Sequence, residues 1–143
     1  MTLAVQPRIS KHQLKIAITE CRTKAWIDAR TVTSPSLALR SVFLQGNDFE
    51  RRIIEQTADV IHMPTNPTLA IHGTETCNVE GFTIAQPAFN LHGIIIRPDM
   101  LNKCEARLSE IKSGTRAKDD YYLDAAIGAA AARASGLTIE TVE

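Results

Sequence analysis

The sequence predicts an α/β domain built around a central sheet, and three observations carry that reading. From Ser10 to Ala58 apolar residues recur at helical spacing. Between Val60 and Ile111, Pro, Gly, Thr and Asn separate short apolar segments of strand length. An alanine-rich helical stretch, Tyr121 to Ala134, then precedes a last strand-like segment, LTIETV. Helices, strands, helix, strand is an order that α/β domains produce.

A chain of 143 residues suits one domain, residues 1–143, and is long enough to bury a core. Its apolar fraction of 44% and charged fraction of 22% are those of a soluble globular protein. The formal net charge is zero, which argues against a general phosphate-binding tail but leaves room for a local basic groove. No apolar run approaches the roughly 20 residues that span a bilayer. The opening MTLAVQPRISKH lacks an apolar core of signal-peptide length. The expectation is a cytoplasmic protein with no membrane partner. Cys21, Cys77 and Cys104 are odd in number and widely spaced, so they form neither a disulfide framework nor a CxxC metal site and read as free thiols.

The first helix starts from Ser10 as N-cap and places Leu14, Ala17, Ile18, Cys21 and Ala25 on one stripe. Cys21 is therefore expected to pack, and Trp26 to anchor the core. Thr31 to Ser36 (TVTSPS) is a loop, with Pro35 and Ser36 opening the second helix, about Leu37 to Ala58. Leu39, Val42, Phe43, Gly46, Phe49, Glu50, Ile53 and Thr57 fall near one stripe of it. Glu50 thus points along or beside the expected buried face. Gly46 lies one turn earlier, and an interior helix glycine costs up to about 1 kcal/mol relative to Ala. That cost suggests a close approach by a backbone or a ligand.

The segments VIHM, TLAI, FTIAQPAF, GIIIRPDML and EARLSEIKS read as strands of a mainly antiparallel sheet. Gly114 to Lys118 is a turn with two basic residues, Asp119 or Asp120 caps the third helix, and Gly136 ends it. The AAIGAAAA run reads as tight packing of that helix against the sheet. His62, His72 and His92 lie at or beside short strands and read as structural.

The chemistry concentrates in GIIIRPDML and ARLSEIKSG. Side chains alternate along a strand, so Glu110 and Lys112 share a face with Leu108. Asp99 lies at the end of the preceding strand. If the two strands pair through a connection around Asn102 to Glu105, Asp99 comes beside Glu110. Pro98 cannot donate to a ladder and marks an edge or bend there. Two carboxylates brought together repel, and burial sharpens the conflict. A hard divalent cation such as Mg²⁺ resolves it through oxygen ligands. Such an ion can activate water and stabilise charge on a phosphate, and an adjacent lysine can orient the water.

On these residues the chain resembles the PD-(D/E)xK nuclease superfamily, in particular its RecB-type members and the CRISPR-adaptation exonucleases. RPD (Arg97 to Asp99) and EIKSGT (Glu110 to Thr115) resemble the second and third motifs. GNDFE (Gly46 to Glu50) resembles the first, ISKHQLKIAITECRTKAW (Ile9 to Trp26) the amino-terminal opening, and KDDYYLDAAIG (Lys118 to Gly128) the helix after the catalytic strands. The likeness runs over about residues 9–142.

The resemblance implies a restriction-endonuclease-like core, a central mixed β-sheet flanked by helices. It implies a metal-dependent deoxyribonuclease of DNA repair, recombination or defence. Asp99 and Glu110 would bind Mg²⁺ or Mn²⁺ with the backbone carbonyl of Ile111, and Glu50 would be a further ligand. Lys112 would position the attacking water, and Arg116, Lys118 and Tyr122 would lie near the DNA strand. A helicase or another repair or recombination protein is the implied partner besides DNA. Gly128 and Ala132 stand where family members often carry Gln and then Tyr. Relatives with an iron–sulfur cluster use one early Cys, which Cys21 matches, and three beyond the last strand, which have no counterpart before Glu143. The expectation is a chain without a cluster, or a form shortened at its carboxyl end. A different class of function also fits the sequence: a non-catalytic DNA-binding or assembly module that keeps the nuclease fold. A third is a protein-interaction domain with no nucleic-acid role. Asp124 reads as structural, facing solvent or bonding the basic turn.

Overall fold

The computed structural model describes residues 9–31 and 34–143. Residues 1–8 of MTLAVQPRISKH, and Val32 and Thr33 of the TVTSPS loop, therefore lie outside the described residues.

Helix α1 (Lys11–Thr19) starts from Ser10, which forms a reciprocal capping box with Gln13. It does not run on through Cys21. The chain breaks at Glu20, and the Cys21 Sγ accepts from the Lys24 N–H at 3.2 Å to cap a separate α2 (Arg22–Asp28). This break corrects the packing expected of Cys21, which is exposed, and of Trp26, which is 57% exposed. One continuous helix would have kept Cys21 on the inner stripe. After the break Ile16 and Ala25 are the buried residues of the two helices. The Arg30 guanidinium covers the Trp26 ring at 3.8 Å instead.

Helix α3 (Leu37–Gln56) is capped by Ser36, whose Oγ accepts from the Leu39 N–H. The apolar stripe expected to be buried is not: Ile54, beside that stripe, is the helix's buried residue, Ile53 is half-buried, and Leu39, Val42, Phe43 and Phe49 stand exposed. A Cβ on Gly46 would meet nothing within 4 Å, so no close approach explains that glycine. The helix touches the body near its end: the Thr57 Oγ1 lies 3.9 Å from the Met100 Sδ.

Strand β1 (Val60–His62) follows, and then α4 (Pro67–Thr76), which corrects the strand expected at TLAI. The reason was in the sequence. Asn66 accepts from the N–H groups of Thr68 and Leu69 while Pro67 takes the first helical position, a strong helix start that outweighs a short apolar run.

The long apolar segments that follow are each divided. FTIAQPAF supplies β2 (Thr83–Ala85) and β3 (Phe89–Leu91); GIIIRPDML supplies β4 (Ile94–Ile96) and β5 (Met100–Asn102). β3 and β4 form a separate antiparallel ribbon. They are joined through His92 and Gly93, both at positive φ, which suits the twist of a tight hairpin and gives His92 a structural place. Next come β6 (Arg107–Ser109), α5 (Asp119–Ala134) and β7 (Thr141–Val142).

The main sheet has the order β1-β2-β5-β6-β7. Its outer pairs are parallel and its inner pairs antiparallel, so the sheet is mixed rather than mainly antiparallel. Ile84, Leu101 and Leu108 of the sheet meet Phe89 and Ile96 of the ribbon and Ile127, Ala129, Ala131 and Ala132 of α5 in one core. The alanine run thus packs as expected, its small side chains letting the helix axis approach the strands. The architecture is α/β, a mixed five-stranded sheet flanked by helices. No described helix is long and apolar enough to cross a membrane.

Candidate metal centre and its lysines

The register of the inner strands builds the site. β5 and β6 pair Met100 with Ser109 and Leu101 with Leu108. One step further along, the same register sets Asp99 opposite Glu110. On the other side, Ala85 pairs with Met100, and the Gln86 N–H donates to the Asp99 carbonyl at 2.8 Å. Gln86, Asp99 and Glu110 therefore form a row across the sheet, just beyond the strand ends. The turn that makes this possible, Lys103 to Ala106, is the connection the spacing required, with Ala106 at positive φ.

The other parts of the RPD element hold this row in place. The Arg97 guanidinium donates to the carbonyls of Thr65 and Gln86, at 3.1 and 2.9 Å. Burial lowers its pKa, so these two acceptors matter to a partly desolvated cation. Pro98 is fully buried. Gly128 of α5 lies against it: a Cβ there would come within 3.3 Å of the Pro98 Cγ and 3.5 Å of the Glu110 Oε1. A glutamine at this position would have to displace the floor of the site, which accounts for the small residue.

Asp99 sits in a conflicted environment. Its Oδ2 accepts from the Ile111 N–H at 2.5 Å, which favours the carboxylate. Burial, then the charges of Glu110 and Glu50, outweigh that bond and push its pKa up from the usual 3.8 to about 7. Glu50 reaches the row from α3, where its Oε1 accepts from the Gln86 Nε2 at 3.0 Å. A cleft of about 570 Å³, lined by Asn47, Glu50, Arg51, Ile54, His62 and Gln86, opens beside it.

Glu110 is enclosed, its side chain 5% exposed, and both its oxygens face ammonium groups. Lys11 lies 2.6 Å from Oε1 and Lys112 lies 3.3 Å from Oε2. Lys112 also reaches Asp124 of α5 at 3.0 Å. Burial alone would lower the pKa of Lys112, but its bond to Asp124 and the charge of Glu110 raise it above the usual value. Asp124 mirrors this: burial pushes it up, and Lys112, Lys11 and Lys15 together hold it below the usual range. Lys15 spans Asp124 at 3.2 Å and Asp120 at 2.6 Å.

The structure thus brings Asp99, Glu110, Ile111 and Lys112 together, with Glu50 at the margin. Arg116, Lys118 and Tyr122 lie on the exposed turn and first helical turn beyond, with the Lys118 Nζ 5.8 Å from the Tyr121 ring. Lys118 occupies the N-cap position of α5 without a side-chain cap, while Asp119 and Asp120 fall in the first turn. Sequence reasoning gave Asp124 no part in the site and did not single out Lys11 or Lys15. The signals were faint: an acidic residue on the inner face of an alanine-rich helix, and two lysines one turn apart on the helix that buries Ile16.

Among the described residues, no three His, Cys, Asp or Glu side chains stand arranged to hold one metal ion. The donor chemistry nevertheless suits a hard cation. Burial, with the added repulsion of Glu110 and Glu50, lifts the Asp99 carboxyl from 3.8 to about 7, and oxygen-only donors are what Mg²⁺ and Mn²⁺ take. No protein-family model, no curated protein and no solved structure matches the chain.

Proposed function

We propose that this chain is a metal-dependent deoxyribonuclease domain of the PD-(D/E)xK type, with a restriction-endonuclease-like core. The observation that carries the reading is the placement of Asp99 opposite Glu110, with Lys112 on the same carboxylate and a third acid, Glu50, close enough to raise the Asp99 pKa. In this reading Asp99 and Glu110 hold Mg²⁺ or Mn²⁺, with Glu50 and the Ile111 carbonyl as further donors. The ion supplies Lewis-acid stabilisation of charge on the phosphate. Lys112 keeps its proton and faces the place where that charge develops. Asp124 keeps Lys112 charged and aimed. Arg116, Lys118 and Tyr122 receive the DNA strand, and the cleft beside Glu50 leaves room for a neighbouring nucleotide.

The test is cleavage of labelled single- and double-stranded DNA with Mg²⁺, Mn²⁺ or EDTA, beside Asp99→Ala and Lys112→Ala. Metal-dependent cutting that falls roughly a hundredfold or more in both folded variants is expected. Variants that cut as well as the parent would remove the assignment.

One observation favours the second reading, a non-catalytic DNA-binding or assembly module. Lys11, Lys15 and Lys112 already neutralise Glu110 and Asp124 within the chain. DNA binding that persists in EDTA, with no cutting under any metal, would select that reading.

A further inference from the structure

Glu110 carries two lysines, and only one of them belongs to its own strand segment. Lys11 comes from the first turn of α1 and meets the Glu110 Oε1 at 2.6 Å, across 99 residues of sequence. The contact is built rather than incidental. The Lys11 side chain is 19% exposed and that of Glu110 only 5%. The capping box at Ser10 fixes where α1 begins, and Ser10 bridges to Ile95 on the ribbon. Leu14 packs on the core and Ile16 is buried, so α1 cannot slide without uncovering apolar surface. Lys15, one turn on, ties the same helix to Asp120 and Asp124 of α5 and leaves Glu110 alone.

An enclosed carboxylate needs a counter-ion, since leaving a buried charge unpaired is strongly destabilising. Lys11 is its counter-ion at Oε1, as Lys112 is at Oε2, so neither oxygen of Glu110 is free for a divalent cation. We propose that Lys11 is a resident competitor for the metal site: a divalent cation gains Glu110 only by displacing the Lys11 ammonium. The proposal rests on the metal-centre reading above. It makes α1 part of the control of that centre. Because linked equilibria are reciprocal, whatever strengthens the seat of α1 weakens metal binding, and metal binding weakens the tie between α1 and Glu110 by the same factor.

The experiment is titration of the intact chain with Mn²⁺, followed by electron paramagnetic resonance, for the parent, Lys11→Met, Lys11→Gln and Lys15→Met. Lys11→Met keeps the aliphatic stem and removes the charge. It should bind Mn²⁺ at least about fivefold more tightly than the parent, the low end of typical coupling factors. Lys11→Gln, which keeps a hydrogen-bond donor for Glu110, should move the same way and covers the case in which the methionine variant fails to fold. Lys15→Met should shift affinity by less than about twofold, because its partners are Asp120 and Asp124. In thermal melts, Mn²⁺ should raise the melting temperature of the Lys11 variants more than that of the parent. A parent that binds Mn²⁺ with Lys11 variants of equal affinity overturns the competition while leaving the metal centre standing. Binding that appears only in the Lys11 variants supports it. No binding by any of the four proteins overturns the metal-centre reading, and this inference with it.

Discussion

Helix α3 and the body formed by the sheet with α5 both carry apolar patterns, yet only the body buries its pattern. In the body, Leu101, Leu108 and Ile96 are completely enclosed. On α3, Val42, Phe43 and Leu44 are each more than half exposed. The difference lies in what faces each surface. The strands are covered by α5, whose Gly128, Ala129, Ala131 and Ala132 let it come close. The amino-terminal half of α3 has no such cover among the described residues. A helical stripe in a sequence therefore predicts a helix, and predicts burial only where a complementary small-residue face exists to meet it. The candidate site lies on the body side of this divide, and only Glu50 comes from α3.

The sharpest way to break the comparison is to truncate the body. Leu108 is fully buried between Leu101 and α5 and supports Glu110 two residues on. Leu108→Ala should cost about 2–5 kcal/mol in urea unfolding, the range for cavity-forming core changes. A loss below about 1 kcal/mol would mean that the body is packed as loosely as α3.

Next in size is the conflict at Asp99. Its folded pKa lies near 7 against 3.8 in the unfolded chain, so between those values the folded state holds a proton that the unfolded state has released. Stability of the metal-free protein should then fall as pH rises from about 4 to about 7, with the full penalty present above that window. Asp99→Asn removes the charge and can keep an acceptor for the Ile111 N–H. In EDTA it should exceed the parent by on the order of 2 kcal/mol at pH 8, and match it near pH 4. Equal pH profiles for the two proteins would show that Asp99 is not held in the strained state described.

A smaller effect is expected at Thr74, which joins α4 to the body. Its Oγ1 donates to the Ala70 carbonyl at 2.7 Å and accepts from the buried Ala88 N–H at 3.0 Å. Thr74→Val keeps the volume and leaves that N–H without a partner. The cost should be about 1–3 kcal/mol by chemical denaturation. A neutral outcome would show that water reaches Ala88.

How much of this was legible follows the range of each interaction. The opposition of Asp99 and Glu110 could be read because one short connection, ending near Glu105, fixes the register between them. The docking of α5 could be read from its alanine run. The break at Glu20 and Cys21 could not, because the apolar spacing continues through it and only the Cys21 Sγ accepting from the Lys24 N–H reveals the turn. TLAI was misread because a four-residue apolar run has no period of its own, while Asn66 and Pro67 carried the decisive signal. Lys11 was out of reach. Nothing local to α1 marks a partner 99 residues away, and the pairing exists only once the sheet, the ribbon and α5 are assembled.

The smallest expected effect is on α3, and it is the one that most directly tests the contrast. Val42 and Phe43 are 61% and 53% exposed. Replacing either with Ser removes apolar surface that the folded chain does not bury, so little transfer free energy is lost. Serine is also a slightly poorer helix former than the best residues, by a few tenths of a kcal/mol. Val42→Ser and Phe43→Ser should each stay within about 0.5 kcal/mol of the parent in urea unfolding at low protein concentration, as surface changes usually do. Losses comparable to Leu108→Ala would place these side chains in a packed interface of the folded chain and dissolve the distinction between the two regions.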